Sequence, residues 1–362
     1  MSVPTVTVVL CTCNRPDMLR DALESIREQT AREAIARVIV SENGPGGESE
    51  KVCADFPELP ILYVQQRPPV PVLLHIKVLW HLVQTPLAAI LHDDDWWMAT
   101  HLRSALDALA GNERCVAAYS SFLESFGPHG TAWLNQCYYL AWLATGGETA
   151  RPVVYLDAPG AMLGCLLNAG FHYSTVVGRS EAMWDAFSRN IARGNSFDND
   201  RTFPVFLSAH GQVGYITSPS VFVRSHLGRD AWSAEHLQRG HMKIAQETTR
   251  FLLASFPKEV SAAVARFRSL ALTLDAPSAE AFWRVLKDGI FEPQWSTLVN
   301  ECGVELSALQ PPRTQTGLPH WATDTFNAFC PPLLNRWIRQ ELWERLLLWR
   351  KRRQDETSMS RS

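Results

Sequence analysis

No stretch of this sequence approaches the roughly 18 consecutive apolar residues that a membrane-spanning helix needs. The start lacks a charged segment followed by an apolar one, so no signal peptide is expected. Net charge is only −3 over 362 residues, which argues against a nucleic-acid partner. No internal repeat or low-complexity tract stands out. The eight cysteines are scattered, and the single close pair, Cys11 and Cys13, falls in an apparent strand where residues two apart share a face. With no second pair at metal-site spacing, buried thiols in a reducing compartment are the expectation rather than a Cys-x-Cys metal site. These absences together predict a soluble, cytoplasmic protein.

What is present is an ordinary globular composition, 46% apolar and 20% charged, in a chain long enough for one large domain or two smaller ones. The first 120 residues alternate strand-like and helix-like segments. Val6–Cys11 reads as a buried strand. Asp17–Glu28 places Met18, Leu19, Ala22, Leu23 and Ile26 on one helical face, with Pro16 suited to the first turn. Val38–Val40 is a second strand, stopped by the turn-forming run from Asn43 to Gly47. Ile61–Val64 is a third, a proline-rich loop leads into a helix over Leu73–Val83, and Leu87–Leu91 is a fourth strand. Repeated β-α units predict a mostly parallel sheet covered by helices, with ligands bound beyond the carboxyl ends of the strands. Three polar clusters fall at such ends: Thr12 to Arg15, Ser41 to Asn43, and Asp93-Asp94-Asp95.

The aspartate triplet has two readings on its own residues. Three adjacent carboxylates repel one another, and oxygen ligands suit a hard divalent ion, Mg2+ or Mn2+, which keeps positions open for phosphate. The other reading is a solvated acidic turn.

Downstream the pattern loosens. From about Ser121 to Arg224 the chain reads as long loops or an insertion. Phe171–Gly178 looks strand-like, and Ser180 could cap a helix running to Phe187. Arg201–Ala209 is helical despite Pro204, and Gly214–Ile216 and Val221–Val223 are short strands. From about Arg239 the pattern is helical.

In this order the segments VTVVLCTCNRPDMLRDALESI, VIVSENG, ILHDDDWW, FDNDRTFPVFLSAHGQVGYI and VFVRSH resemble the family-2 inverting glycosyltransferases, over roughly residues 4–228. The resemblance implies an α/β GT-A fold. A catalytic domain would span 1–228, its donor half about 1–120 and its acceptor half about 121–228, and 229–362 would form a helical C-terminal extension. It implies transfer of a sugar from a nucleoside-diphosphate sugar, a UDP-sugar foremost, to a hydroxyl of a glycan or lipid-linked acceptor, in surface polysaccharide synthesis. Thr12, Asn14 and Arg15 match the turn that lies along the nucleotide. Glu42 stands where the family has an aspartate facing the base, and the longer side chain puts the base identity in question. Turn formation is the competing role for Glu42 and the favoured one for Asn43.

The triplet matches the family's DXD motif. Asp93 and Asp94 are implied nucleotide-sugar contacts and Asp95 a metal ligand for Mn2+ or Mg2+. Trp96-Trp97 would wall the sugar pocket or pack in the core. Inversion needs a base opposite the leaving group, and counting back from Gly211 places it at Asp200, with Asp198 as rival and helix capping as the bland role for either. In Val223-Arg224-Ser225-His226, His226 matches a histidine that approaches the metal or diphosphate, and Arg224 is expected to orient neighbours or pair with a carboxylate. Lys77 could bind a phosphate, with a helix-surface lysine as the favoured reading. The run Asn168 to Ser174 (NAGFHYS) has the amide, hydroxyls and aromatics that bind sugars, and acceptor recognition is expected in this region.

Leu333–Arg353 combines three tryptophans with seven basic residues. Trp337, Trp343 and Trp349 are spaced by six, which scatters them around a helix, so packing on the domain or a second subunit competes with peripheral membrane contact. Two rival functions are a nucleotidyltransferase and a non-catalytic sugar- or partner-binding module. The first would want a glycine-rich loop after the first strand, which CTCNRPD lacks. The second is opposed by intact candidates for metal ligand, base and histidine.

Overall fold

Val6, Val8, Val9 and Leu10 are completely buried, as strand residues covered on both faces must be. They belong to β1 (Val6–Thr12), which is flanked in parallel by β2 (Ile35–Glu42) and β4 (Leu87–His92), while β3 (Ile61–Gln65) pairs with the far side of β2. The computed structural model describes residues 5–44, 46–126, 131–134, 152–166, 171–191, 199–224, 247–248 and 250–273. All of them belong to one compact unit.

The described sheet also contains β5 (Trp96–Trp97), β6 (Cys115–Phe126), β7 (Thr131–Leu134), β8 (Val153–Leu156), β9 (Val176–Arg179) and β10 (Gln212–Arg224), and its order is β3-β2-β1-β4-β9-β6-β10-β5, with β7 on β6 and β8 on β10. β9 runs antiparallel to both β4 and β6, and β10 runs parallel to β6. It follows that β1 to β4, β6 and β10 all point one way, the expected mostly parallel α/β sheet. Gly178 lets β9 fit between its neighbours. A Cβ there would stand 2.9 Å from the Ala117 Cβ and 3.0 Å from the Met183 sulfur.

Helices close both faces. The helix α1 (Pro16–Arg27) starts at its proline and buries Leu19, Ala22, Leu23 and Ile26, the expected face except for a half-buried Met18. On the opposite face, Val9 and Ile39 pack with Leu79 of the helix α3 (Val72–Leu79), which follows α2 (Glu48–Ala54). Further helices are α4 (His101–Ala110), α5 (Ala158–Leu166), α6 (Ser180–Ile191), α7 (Asn199–Leu207) and α8 (Pro257–Thr273). The last is tied to the residue that follows β8 by Arg266, whose two terminal nitrogens donate to Asp157 at 2.6 and 2.8 Å. No helix among the described residues is long and apolar enough to cross a membrane.

Five local expectations need correction. Phe171–Gly178 is not one strand: a 3-10 turn at Tyr173–Thr175 precedes β9, stabilised by Thr175 donating to the His172 carbonyl at 2.8 Å. Ser180 does not cap α6; its hydroxyl donates to the Thr85 carbonyl. The two short strands after Gly211 are one long strand whose register shifts around Pro219. Cys13 lies exposed beyond the end of β1, whereas Cys11 is half-buried within it, so the two share no strand face. The first helix-like stretch expected after the proline loop ends early, with a 3-10 turn over Trp80–Leu82. The predicted tryptophan- and arginine-rich C-terminal helix lies outside the described residues.

Candidate active site

The carboxyl ends of β1, β2 and β4 meet at one edge because the strands pair in parallel, with Thr12 opposite Glu42 and Cys11 opposite His92. Thr12 Oγ1 donates to Asp93 Oδ2 at 2.8 Å. Arg15 Nη1 stands 3.3 Å from Asp93 Oδ1 and 3.3 Å from Asp94 Oδ2. The arginine side chain is 33% exposed and each aspartate side chain 7%, so the guanidinium closes the outer side of a sunken carboxylate pair. Burial, followed by the Asp94 charge, raises the Asp93 carboxyl above its ordinary value, and Arg15 and Thr12 oppose that rise.

Glu42 is buried and acts as a clasp between turns. Its Oε1 accepts the Asn14 N–H at 3.0 Å and the Gly44 N–H at 2.6 Å, and its Oε2 accepts the Ser49 hydroxyl. Asn14 adopts φ +53°, a left-handed conformation that asparagine tolerates better than most residues. That twist turns its N–H toward Glu42, while its side chain stays at the surface. Asn43 has a structural task, exchanging two 2.8 Å hydrogen bonds with the Val70 backbone and so pinning the proline-rich loop. Behind this edge, Ser41 Oγ is held by Gln66 at 2.9 Å and by His75 at 2.8 Å. Burial lowers the His75 pKa to about 4, against the pull of Glu42.

The third aspartate turns the other way. Asp95 N–H donates to the His92 carbonyl at 3.2 Å, a tight turn that fans the three side chains apart. Asp95 is fully buried, with Oδ1 accepting the Arg224 N–H at 3.1 Å and Oδ2 accepting the Ser174 hydroxyl at 2.5 Å. Its Oδ2 also faces His172 Nδ1 at 3.6 Å and His92 Nδ1 at 3.8 Å. Among the described residues, His92, Asp95 and His172 are the cluster able to hold a metal ion, their donor atoms all within 4.8 Å of one another. Trp97 is core, its indole N–H donating to the Ser174 carbonyl at 2.7 Å. Trp96 is half-buried between Phe222, stacked at 4.1 Å, and the Arg224 guanidinium at 4.9 Å. Arg224 also pairs with Asp21 at 2.8 Å, the carboxylate partner expected for it.

The structure therefore brings Thr12, Asn14, Arg15, Glu42, Asp93, Asp94 and Asp95 to one edge. Asp200 lies in the first turn of α7, but its side chain is outside the described residues, as are Asp198 and His226 entirely. Residue-by-residue reading missed His92, His172 and Ser174 as a set. The signals were a histidine directly before the triplet and another inside NAGFHYS, which pointed to sugar binding and not to Asp95.

No family model matches the chain, and no curated protein matches it in sequence. Among solved structures, residues 1–349 of S. aureus TarS share 12% identity with it at a TM-score of 0.48, covering 80% of this chain and 77% of that one. The same protein in complex with UDP-GlcNAc gives 10% identity and a TM-score of 0.46, covering 83% and 92%. The mannosyltransferase PcManGT from Pyrobaculum calidifontis, in complex with GDP-Man and Mn2+, gives 13% identity and 0.45, covering 93% and 84%.

Proposed function

We propose that the chain is an inverting glycosyltransferase of the family-2, GT-A kind. It would move a sugar from a nucleoside-diphosphate sugar, foremost a UDP-sugar, to a hydroxyl of a glycan or lipid-linked acceptor in surface polysaccharide synthesis. One observation carries the reading: Thr12, Arg15, Asp93 and Asp94 interlock at the carboxyl edge of adjacent parallel strands, with Glu42 one strand away. Ligands of such sheets bind beyond that edge.

In this reading the turn from Thr12 to Arg15 runs along the nucleotide, and Glu42 shapes the base end through the Asn14 and Gly44 backbone. Arg15 has five N–H donors and spends one nitrogen on the aspartates, so the others can meet a diphosphate. Asp93 and Asp94 contact the donor. A buried carboxylate beside two imidazoles is a donor set that fits a divalent ion, Mn2+ or Mg2+, at Asp95, and His226, two positions past the last residue of β10 in the sequence, is the further ligand that the resemblance implies. Such an ion supplies positive charge where the leaving diphosphate gathers negative charge.

Asp200, with Asp198 as its rival, takes the acceptor hydroxyl proton as that oxygen bonds to the anomeric carbon. The carbon–oxygen bond to the diphosphate breaks on the opposite face, releasing the nucleoside diphosphate. Residues 1–228 form the catalytic domain and 229–362 the extension, with α8 fastened back onto Asp157. The same reading keeps the protein in the cytoplasm, at the membrane face when the acceptor is lipid-linked.

The test is a panel of nucleotide sugars and acceptors incubated with the full chain and Mn2+ or Mg2+, read by mass spectrometry. A sugar-extended acceptor with inverted linkage is expected. Absence of both nucleoside diphosphate release and donor binding across the whole panel would overturn the proposal.

A further inference from the structure

We infer that His92, Asp95 and His172 form a cation seat that prefers a divalent first-row transition ion, from Mn2+ to Zn2+, over Mg2+. The inference rests on the transferase reading only for what the ion does; the seat itself stands on geometry. Two donors sharing an ion at about 2.1 Å are at most roughly 4.2 Å apart. The Asp95 Oδ2 separations of 3.6 Å to His172 and 3.8 Å to His92 lie within that span. All three donor atoms fall within 4.8 Å of one another, so closing the set on an ion asks only a small side-chain adjustment.

The seat is built on rigid elements. His92 ends β4, Asp95 follows through the tight turn, and His172 opens the 3-10 turn before β9, the strand paired with β4. Ser174 locks the parts together, its hydroxyl accepting from the His92 N–H at 3.1 Å and donating to Asp95. His172 Nδ1 accepts the Ser174 N–H at 3.3 Å, a long hydrogen bond whose lone pair an ion would take over. Aromatic rings wall the seat: His92 meets His172 edge-on at 5.1 Å, and Phe122 lies 5.6 Å from His172. Arg224 offers Asp95 its backbone N–H, while its guanidinium is directed to Asp21 and Trp96.

Composition sets the preference. Mg2+ seeks oxygen and keeps its waters, whereas imidazole suits the later transition ions and Mn2+ accepts both kinds of ligand. The alternative is that Asp95 is purely a latch holding β10 and the 3-10 turn against β4.

Titration calorimetry of the full chain with MnCl2, ZnCl2 and MgCl2, without nucleotide, separates the two. The expected result is Mn2+ and Zn2+ binding at least about tenfold tighter than Mg2+, weakened about tenfold or more by His92→Gln and by His172→Gln. His92 is the safer variant, since its side chain is 30% exposed, and circular dichroism checks that each variant is folded. Asp93→Asn should disturb Mn2+ affinity far less than either histidine change. No binding of any ion, equal affinity for Mg2+, or Mn2+ affinity untouched in the folded His92 variant would each overturn the seat. Histidine-dependent Mn2+ binding without transfer to any acceptor sinks the transferase reading alone. Metal-dependent transfer indifferent to both histidines sinks the seat alone.

Discussion

Thr12 and Asp93 lie 81 positions apart, yet the hydroxyl of one donates to the carboxylate of the other at 2.8 Å in a buried setting. Removing the donor leaves a buried acceptor short of a partner. Thr12→Val should cost about 1–3 kcal/mol of stability by urea denaturation and weaken nucleoside-diphosphate binding. Thr12→Ser should recover most of both. A Thr12→Val protein as stable as the parent would show that the bond contributes nothing to the edge.

Glu42 joins three donors, one from each of two turns and one from the start of α2, so its loss should loosen all three segments together. Glu42→Ala is expected to lower stability by roughly 2–4 kcal/mol and to speed amide exchange at Asn14 and Gly44. Glu42→Asp, one methylene shorter, should restore only part of the protection. Unchanged exchange at Asn14 in the alanine variant would contradict the clasp.

Asp200→Asn tests the base. Nucleoside-diphosphate affinity should stay near that of the parent while turnover falls by about 10²–10⁴-fold, since the base acts on the acceptor. Retained turnover would pass the role to Asp198, to be checked with Asp198→Asn.

Two buried histidines should make the fold acid-sensitive. Burial lowers His75 to about 4 and His101 to about 3, so both stay neutral in the folded protein as the pH falls below 6.5. The unfolded chain takes up those protons first, and stability must decline between about pH 6.5 and pH 4. Between pH 6.5 and pH 5 the fully buried His101 alone accounts for about 2 kcal/mol. Urea midpoints at pH 7 and pH 5 should therefore differ, and His75→Gln should shrink the gap. An equal gap in that variant would remove His75 from the account.

The first four strands were readable because strands buried on both faces spell out as apolar runs, as in Val6–Leu10 and Leu87–Leu91. The strand Cys115–Phe126 was not, because Ser120 and Ser121 interrupt its apolar pattern although both are buried, Ser121 bonded to Tyr215 at 2.9 Å. The strand over Gln212–Arg224 read as two pieces because Thr217 to Ser220 looks like a turn, and pairing with β6 carries it through. The polar edge was legible as clusters at strand ends. Its division was not: a turn closed by the Asp95 N–H sends neighbouring carboxylates to opposite sides. His172 joins Asp95 only through the insertion of β9 beside β4, which no local pattern encodes.

The reversed strand β9 also has a meaning for synthesis. A ribosome delivers β1 to β4 first, and these already pair with one another. Yet the strand that occupies the free side of β4 starts at Val176, and the backbone group that meets Asp95 comes from Arg224. The nascent chain thus carries its acidic triplet incomplete for more than a hundred residues of elongation. Long-range pairing of this kind slows folding. A chain released before Arg224 would hold the carboxylates without the partners that order them, which delays any activity until the polypeptide is well past its midpoint.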